Sequence, residues 1–272
     1  VESGTVSGWD DPRMVTLCGM RRRGYPPEAV RDFIDRIGVS KADSVVDYGL
    51  LEACVRDNLN ANAPRAMAVL RPLKVVIDNY PEGQTETLDV EVHPDHPEMG
   101  TRKVTFGREI FVEREDFMIE PVKKYFRLFP GNEVRLKSAY FVKCTGYDLD
   151  ENGEVACLHC TYDPASKGGN SPDGRKVKGT LHWVSKDDCV KAEVRLYDRL
   201  FKTEKPEDLK EDLNPDSLTV LEDCLIEGGI KGTKPGDVFQ FMRQGYFCVD
   251  KDSTDDKLVI NRTVDLKSSW GK

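Results

Sequence analysis

The spacing of apolar residues changes near residue 66, and no other feature of the sequence constrains the fold as strongly. Before this point apolar side chains recur at helical spacing, as Val30, Phe33 and Ile37 do. After it, apolar and polar residues alternate, which is typical of strands with one buried face. The sequence therefore predicts a small helical region followed by a long β region.

Three short helices are predicted before residue 66. They are a segment from Pro12 to Gly24, a segment that Pro26-Pro27-Glu28 opens and Gly38 ends, and a segment that follows Ser44 and ends at Asn60 to Pro64. Asp11 is expected to cap the first helix. Ser44 is expected to cap the third, with Asp47 three residues further on in a capping-box pattern. Such short, closely spaced helices favour a small bundle.

Ten strands are predicted in the β region. Their ranges are Val69 to Ile77, Thr85 to Val92, Lys103 to Glu113, Glu133 to Gly146, Val155 to Tyr162, Lys176 to Val184, Ala192 to Phe201, Leu218 to Ile226, Val238 to Val249 and Leu258 to Leu266. The sequences Asp150-Glu151-Asn152-Gly153 and Pro172-Asp173-Gly174 are typical of hairpin turns. Because no helical pattern lies between the strands, two small barrels or a sandwich are favoured over a parallel sheet.

Charge is unevenly distributed along the chain, whose formal net charge is −8 at pH 7. An acidic total argues against general attraction to nucleic acid. Residues 121 to 145, however, carry six lysines and arginines against a single acid, Glu133, while residues 82 to 98 carry six acids and no lysine or arginine. A basic face on an acidic body is one interpretation, and an ordinary solvated surface is the other.

Eight scattered cysteines indicate buried, reduced thiols and a cytoplasmic protein. The sequence has no run of eighteen apolar residues, so no membrane span is predicted. It begins at Val1 without an apolar signal core, and we expect it to be part of a longer protein.

Signatures of catalysis are mostly absent from the sequence. It has no glycine-rich phosphate loop and no nucleophile motif, so no catalytic residue is predicted. His93-Pro94-Asp95-His96-Pro97 looks like a metal-binding run, but its prolines favour a rigid loop. Cys157-Leu158-His159-Cys160 has CxxC spacing, yet residues three apart in a strand point to opposite faces, and no second pair completes a tetrahedral site. No metal site is predicted.

Two basic segments are candidates for RNA contact. Residues 123 to 137 interleave cations with aromatic and aliphatic residues, a composition suited to stacking on unpaired bases and hydrogen bonding to their edges. The alternative is an amphipathic strand with buried rings. The cluster Arg21-Arg22-Arg23 is either a phosphate clamp or a helix end whose cations favour the C-terminal dipole.

Several longer motifs resemble the glutaminyl-tRNA synthetase family, and they extend in order over essentially the whole chain. They are Gly8-Trp9-Asp10-Asp11-Pro12-Arg13-Met14, Ala63-Pro64-Arg65-Ala66-Met67-Ala68-Val69, Pro97-Glu98-Met99-Gly100, Asp173-Gly174-Arg175-Lys176-Val177-Lys178-Gly179, Glu193-Val194-Arg195-Leu196-Tyr197-Asp198-Arg199-Leu200-Phe201, Gln244-Gly245-Tyr246-Phe247-Cys248 and Asn261-Arg262-Thr263-Val264.

The resemblance implies an α+β fold, with a small N-terminal helical subdomain followed by two antiparallel β-barrels that form an anticodon-binding domain. The implied ranges are residues 1–65 for the helical subdomain, 66–118 plus 190–272 for the proximal barrel and 119–189 for the distal barrel. The Rossmann catalytic domain, with its HIGH-type and KMSKS motifs, would precede Val1. This part of the enzyme is therefore expected to bind tRNA without activating glutamine.

The resemblance also implies roles for individual residues. It assigns anticodon contacts to Arg65, Gln240, Arg243, Arg127, Arg135, Lys124 and Lys137. Arg65 and Gln240 match readers of the central uracil, with Arg243 close by. Arg127 matches the reader of the third base, and Arg135 contacts the first. Contacts with the tRNA stem and backbone are assigned to Lys41, Arg21, Arg22 and Arg23.

Three positions depart from the family pattern: Lys124 replaces a glutamine, Asp95 replaces an asparagine near the loop, and Val15 replaces a proline. The expected partner is glutamine tRNA, bound through its anticodon loop and the inner side of the L, and the expected oligomeric state is a monomer. No cofactor is expected in this part, whereas the full enzyme would use ATP and Mg²⁺.

Two other identities are compatible with parts of the sequence. A eukaryotic- or archaeal-type glutamyl-tRNA synthetase shares the two-barrel domain, but the Arg13-Met14 junction and the stretch from Gln240 to Tyr246 favour glutamine. A free-standing barrel resembling a ribosomal 5S-RNA-binding protein would not need the helical segment before Ala66.

Overall fold

The structure is a computed structural model that describes residues 1–39, 41, 45–203, 205–208 and 210–267. Within these residues it contains three α-helices: α1 (Leu17–Arg23), α2 (Pro27–Ile37) and α3 (Tyr48–Asn62). Ser44, the predicted cap of the third helix, lies outside the described residues. None of the described helices is both long enough and apolar enough to span a bilayer.

Helix α1 begins later than predicted because Thr16, not Asp11, is its N-cap. The hydroxyl of Thr16 accepts a hydrogen bond from the amide of Gly19 at 2.9 Å. Asp11 instead accepts hydrogen bonds from the amide and the side chain of Arg13. Gly24 ends the helix with φ of +94°, as the sequence predicts, because glycine adopts the left-handed region without steric cost.

The other two helices follow the predicted pattern more closely. Helix α2 starts at Pro27 and is capped by Gly38, so its predicted bounds are confirmed. Helix α3 begins at Tyr48 because Asp47 is the cap itself, with its carboxylate accepting from the amide of Gly49 at 2.8 Å. Both helices pack around a buried cluster made by Tyr25, Ala29, Leu51, Cys54, Val55, Leu59, Ala63, Tyr246 and Val264.

The described residues form sixteen strands. These are β1 (Arg65–Ala66), β2 (Ala68–Val69), β3 (Pro72–Ile77), β4 (Thr85–Glu91), β5 (Thr101–Gly107), β6 (Glu109–Glu113), β7 (Glu133–Leu136), β8 (Phe141–Leu149), β9 (Val155–Asp163), β10 (Thr180–Leu181), β11 (Val184–Ser185), β12 (Val190–Tyr197), β13 (Leu218–Ile226), β14 (Val238–Phe241), β15 (Gly245–Val249) and β16 (Leu258–Val264). Three predicted long strands are in fact pairs of strands, β5–β6, β7–β8 and β14–β15.

The two predicted turns have different outcomes. Residues 150–153 connect β8 to β9, which pair antiparallel, so this hairpin is confirmed. Residues 172–174 do form a turn, closed by a hydrogen bond from the amide of Gly174 to the carbonyl of Ser171. No strand pair flanks this turn in the described residues, because the predicted strand from Lys176 is reduced to the two-residue strands β10 and β11.

The chain divides into two compact units. The first comprises residues 1–65, 192–222 and 232–272. In it β14, β15 and β16 form an antiparallel series, and β16 pairs in parallel with β12. The buried rings of Phe241 and Phe247 stack with centroids 4.6 Å apart.

The second unit comprises residues 66–191 and 223–231. Its main sheet has the strand order β10-β7-β8-β9-β3-β6-β11, and β4 and β5 form a separate hairpin. The pairs β3–β9 and β10–β7 are parallel, and the remaining pairs in this sheet are antiparallel. A buried aromatic cluster around Phe106 includes Trp183, with ring centroids 5.2 Å apart.

The predicted fold class is confirmed: a small helical N-terminal region is followed by predominantly β structure, with two seven-stranded sheets where two barrels were predicted. The pairing is not purely antiparallel, because β12–β16, β3–β9 and β10–β7 are parallel pairs. The predicted ranges 1–65, 66–118 plus 190–272 and 119–189 stay a prediction.

Candidate nucleic-acid interface

Arg65 lies in the first unit, immediately after helix α3, and its guanidinium is held by the end of that helix. Its Nη1 donates to the carbonyl of Ala63 at 2.9 Å, and its Nη2 donates to the carbonyl of Asn60 at 2.8 Å and to the Oδ1 of Asn60 at 3.3 Å. The residue is only 8% exposed. These contacts fix the plane of the guanidinium, as reading a base edge would require.

Tyr246 connects Arg65 to Gln240. The hydroxyl of Tyr246 donates to Oδ1 of Asn60 at 3.1 Å and accepts from Nε2 of Gln240 at 3.4 Å. Burial raises the pKa of Tyr246, so its hydroxyl stays protonated at neutral pH and keeps this donor role. Two residues 175 positions apart in the sequence are thus joined through Asn60 and Tyr246. We call these four residues the Arg65–Gln240 network.

Arg243 lies at the turn between β14 and β15, three residues after Gln240. It is exposed and has φ of +67°, a left-handed conformation that is uncommon for a residue with a side chain. The amide of Gln244 donates to the carbonyl of Phe241 at 2.9 Å and closes this turn. Arg243 is therefore an exposed residue in a tight turn, three positions after Gln240 of the Arg65–Gln240 network.

In the second unit, residues 121–132 form a loop, whereas residues 133–136 form strand β7 with alternating burial, so the amphipathic strand that was the alternative interpretation is confirmed only for the end of the basic segment. The ring of Phe126 is 47% exposed instead of buried. The ammonium of Lys178 lies 4.9 Å from the centre of this ring, and Lys124 is exposed with φ of +67°. The loop thus presents an exposed aromatic ring with the ammonium of Lys178 beside it, a combination that suits contact with an unpaired base.

Gly179 lies directly behind this loop. A Cβ atom at position 179 would collide with the carbonyl oxygen of Phe126, so only glycine permits this approach. The carbonyl of Gly179 accepts from the amide of Arg135 at 2.8 Å. Close backbone packing therefore sets the position of the loop against β7.

Arg127 is held at the base of the loop by the segment that precedes it. Its Nη1 lies 3.2 Å from Oδ1 of Asp116 and donates to the carbonyl of Glu115 at 3.1 Å. Asp116 is fully buried, whereas the side chain of Arg127 is 44% exposed. The guanidinium is therefore oriented by a buried carboxylate while part of it faces solvent.

Arg135 and Arg175 flank the buried ring of Phe141, with guanidinium carbons 5.3 Å and 5.1 Å from its centre. Arg175 is engaged by the carboxylates of Glu133, Asp163 and Asp173, whose hydrogen bonds raise its pKa. Arg135 is different: within the part of the chain that the structure describes, its buried Nε atom has no hydrogen-bond partner.

Lys137 is half-buried and has a structural role through its backbone. Its amide donates to the carbonyl of Leu181 at 2.8 Å, and its carbonyl accepts from the indole Nε1 of Trp183 at 3.0 Å. Asp95, one of the positions that departs from the family pattern, is exposed, and its amide donates to Nδ1 of His93 at 3.1 Å.

The three consecutive arginines at the end of α1 have different environments. Arg21 is exposed. Arg22 contacts the carboxylates of Asp250 at 3.0 Å and Asp252 at 2.7 Å. Arg23 is 6% exposed and donates to the carbonyls of Thr263 and Tyr197 at 3.0 Å and 3.2 Å.

The three arginines therefore do not form one exposed cluster. Arg23 is buried and the charge of Arg22 is balanced by acids, and their assigned tRNA contacts stay a prediction. Of the predicted backbone contacts, Arg21 and Lys41 are exposed and fit the role.

The sequence analysis did not single out Asn60, Tyr246, Phe126 or Lys178 as individual functional residues. Tyr246 and Lys178 lie in motifs that carried the family resemblance, so a signal was present. Asn60 carried no such signal, because its role depends on a hydrogen bond to Tyr246, 186 positions further along the chain.

Comparisons with known protein families identify the class to which the chain belongs. The family described as "tRNA synthetases class I (E and Q), anti-codon binding domain" matches at residues 63–163 and, through a second model, at residues 180–250. The corresponding catalytic-domain family matches residues 1–61, the helical region. All three models describe one class of protein, the class I tRNA synthetases for glutamate and glutamine.

Curated relatives distinguish between glutamate and glutamine within this class. The chain is 57% identical over 274 residues to the glutamine–tRNA ligase of Bradyrhizobium diazoefficiens, covering 100% of this chain and 49% of the relative. It is 55% identical over 276 residues to that of Clostridium kluyveri, covering 99% and 50%. It is 51% identical over 275 residues to that of Proteus mirabilis, covering 100% and 49%. The chain belongs to the glutaminyl-tRNA synthetase family and spans about half the length of these relatives.

Proposed function

We propose that this chain binds glutamine tRNA and reads its anticodon. The observation that carries the proposal is the Arg65–Gln240 network, which joins two predicted readers of one base through hydrogen bonds at fixed distances. Rigid guanidinium and amide groups suit this task, because unpaired loop bases are recognised on their Watson–Crick edges. One well-placed bidentate contact contributes about 1–3 kcal/mol of discrimination against the wrong base.

The individual roles proposed here are those that the family resemblance implies. Arg65 and Gln240 read the central base, with Arg243 beside them. Arg127 reads the third base and Arg135 contacts the first. Lys124 and Lys137 also contact the anticodon. Arg21 and Lys41 contact phosphates of the stem and the inner side of the L. The exposed ring of Phe126 offers a stacking surface for an anticodon base.

We also propose that the whole protein joins glutamine to its tRNA with ATP and Mg²⁺, as a cytoplasmic monomer. This chain alone is expected to bind tRNA without activating glutamine, because no HIGH-type or KMSKS motif occurs in its sequence. The names of the relatives support this role, since each is a glutamine–tRNA ligase.

The proposal is tested by measuring the affinity of the chain for tRNA transcripts in filter binding at physiological salt. The unmodified chain should bind glutamine tRNA more tightly than glutamate tRNA or a glutamine transcript with a changed central anticodon base. Arg65→Ala should reduce this discrimination by roughly tenfold or more, since it removes a base contact.

Tyr246→Phe tests the network itself, because it deletes only the hydroxyl that links Asn60 to Gln240. It should weaken central-base discrimination by a few-fold, as expected for one hydrogen bond of about 1 kcal/mol. Lys257→Ala, which removes an exposed cation paired with Glu193, is the control and should leave discrimination unchanged. Equal affinity of the unmodified chain for all transcripts would refute the proposed function.

A further inference from the structure

A cluster of side chains with metal-ligating atoms lies in the second unit, on the hairpin formed by β8 and β9. Cys157 and His159 are two residues apart in β9 and therefore point to the same face of the sheet. Asp148 of β8 lies directly opposite Cys157 in the strand register. The sulfur of Cys157, a ring nitrogen of His159 and a carboxylate oxygen of Asp148 all lie within 4.8 Å of one another.

The imidazole of His159 is held between two carboxylates. Its Nε2 lies 2.9 Å from Oδ2 of Asp148, and its Nδ1 lies 3.2 Å from Oδ1 of Asp78. Asp78 directly follows β3, which pairs in parallel with β9. A carboxylate that accepts the Nδ1 proton fixes the ring and leaves Nε2, once it is deprotonated, available as a ligand, as in many histidine sites for metals.

We propose that Cys157, His159 and Asp148 bind a divalent cation of the zinc class, with Asp78 as the residue that positions His159. A thiolate, an imidazole and a carboxylate are three ligands that Zn²⁺ uses, and three protein ligands leave a fourth position for water. Binding releases the thiol proton of Cys157 and any proton held on Nε2. The side chains of His159 and Asp148 are 35% and 65% exposed, so an ion can enter from solvent.

This ligand set differs from the one that CxxC spacing would suggest. Cys160 is fully buried on the opposite face of β9 and pairs in the strand register with Cys144, so it does not join the site. The site would connect β8, β9 and the end of β3, three neighbours in one sheet. A bound ion should therefore stabilise this sheet, and the inference does not depend on the proposed tRNA contacts.

A simpler explanation of the same geometry is an ion pair between a protonated His159 and the two carboxylates. That arrangement needs His159, Asp148 and Asp78 but gives Cys157 no role. The sulfur ligand is therefore the point on which the two explanations differ, and the experiment is designed around it.

The purified chain is titrated with Co²⁺, a spectroscopic substitute for Zn²⁺, and then with Zn²⁺ in competition. One equivalent of Co²⁺ should bind and give a thiolate-to-cobalt charge-transfer band, which Zn²⁺ abolishes. Cys157→Ser should remove the band, and His159→Gln should lower the affinity at least tenfold. Zn²⁺ should raise the melting temperature of the unmodified chain but not that of Cys157→Ser.

Matched controls exclude binding by other surface groups. Cys18→Ser removes an exposed thiol elsewhere, and His96→Gln removes a histidine that also contacts a carboxylate, Glu98. Both should bind Co²⁺ as the unmodified chain does. Asp78→Asn should weaken binding by about 10–100-fold, the usual effect of losing a partner of a ligating histidine. A charge-transfer band that persists in Cys157→Ser, or no one-equivalent binding in the unmodified chain, would overturn the proposal.

Discussion

At the scale of single residues, three consecutive arginines show that environment decides what a side chain can do. Arg21 is exposed, Arg22 contacts acids, and Arg23 is buried among backbone carbonyls. The sequence presents them as one basic cluster. A helix distributes consecutive residues around its axis, about 100° apart, so only one of the three faces solvent fully here.

Replacing these arginines with alanine should show which of them stabilises the fold. Arg23→Ala should lower the free energy of unfolding by about 3 kcal/mol, because it leaves buried carbonyls without their charged donor. Arg21→Ala should change it by no more than about 0.5 kcal/mol, as exposed positions usually do. Urea unfolding followed by circular dichroism measures both. Equal effects would show that the buried contacts of Arg23 do not stabilise the fold.

At the scale of elements, the sequence predicts the first and last residues of a helix well where proline and glycine mark them. Helix α2 has both signals, Pro27 and Gly38, and its bounds are correct. The turns that divide β7 from β8 and β14 from β15 were missed, because Ser138 and Arg243 adopt positive φ there without glycine. A turn forced by tertiary packing leaves no local signature.

Arg22 in helix α1 forms an ion pair with Asp250, which directly follows β15. This ion pair should make the free energy of unfolding depend on pH. Burial raises the pKa of Asp250, but hydrogen bonds from Arg22, the amide of Asp252 and Asn261 outweigh it, so its pKa lies below the ordinary value. A carboxylate with a lowered pKa stabilises the folded state above its unfolded pKa of about 3.9. That contribution is lost as the pH falls through the folded pKa.

Asp250→Asn should therefore be less stable than the unmodified chain at pH 7, and the difference should shrink as the pH falls towards 3. Urea midpoints measured across this range test the expectation. Asp255→Asn, a change at an exposed aspartate, should follow the unmodified chain throughout. A constant difference between Asp250→Asn and the unmodified chain at every pH would contradict the assigned role of the charge.

At the scale of the whole molecule, a net charge of −8 coexists with a predicted RNA-binding role. Many cations are already engaged by acids, as Arg22 and Arg175 are. The total charge therefore opposes indiscriminate RNA binding, while a few exposed cations and oriented guanidiniums remain for specific contacts.

Salt dependence should distinguish the two kinds of tRNA contact. Each phosphate contact contributes about 0.7–0.9 to the slope of log K against log salt concentration. Lys41→Ala should reduce this slope by about one contact for every transcript, whatever its anticodon. Arg65→Ala should leave the slope nearly unchanged while it reduces discrimination. Affinities at several salt concentrations give both quantities, and a slope that Lys41→Ala does not alter would remove Lys41 from the phosphate contacts.

The long motifs in the sequence indicated the fold class and supplied the predicted readers of the anticodon, because no local pattern distinguishes a base-reading arginine from an ordinary surface one. Position 65 illustrates this limit. Its neighbours Asn60 and Ala63 are local, but the link to Gln240 passes through Tyr246 and exists only in the folded chain. Residues that act through such distant contacts could not be named from the sequence.

The contact between Gly179 and the carbonyl of Phe126 has a consequence for the proposed anticodon recognition. Because no side chain fits between these two backbones, the loop carrying Phe126 and Arg127 has little freedom to shift. Under the proposed assignment of Arg127, recognition of the third anticodon base would then rest partly on the β-carbon that glycine lacks, at a residue outside the set of proposed RNA contacts.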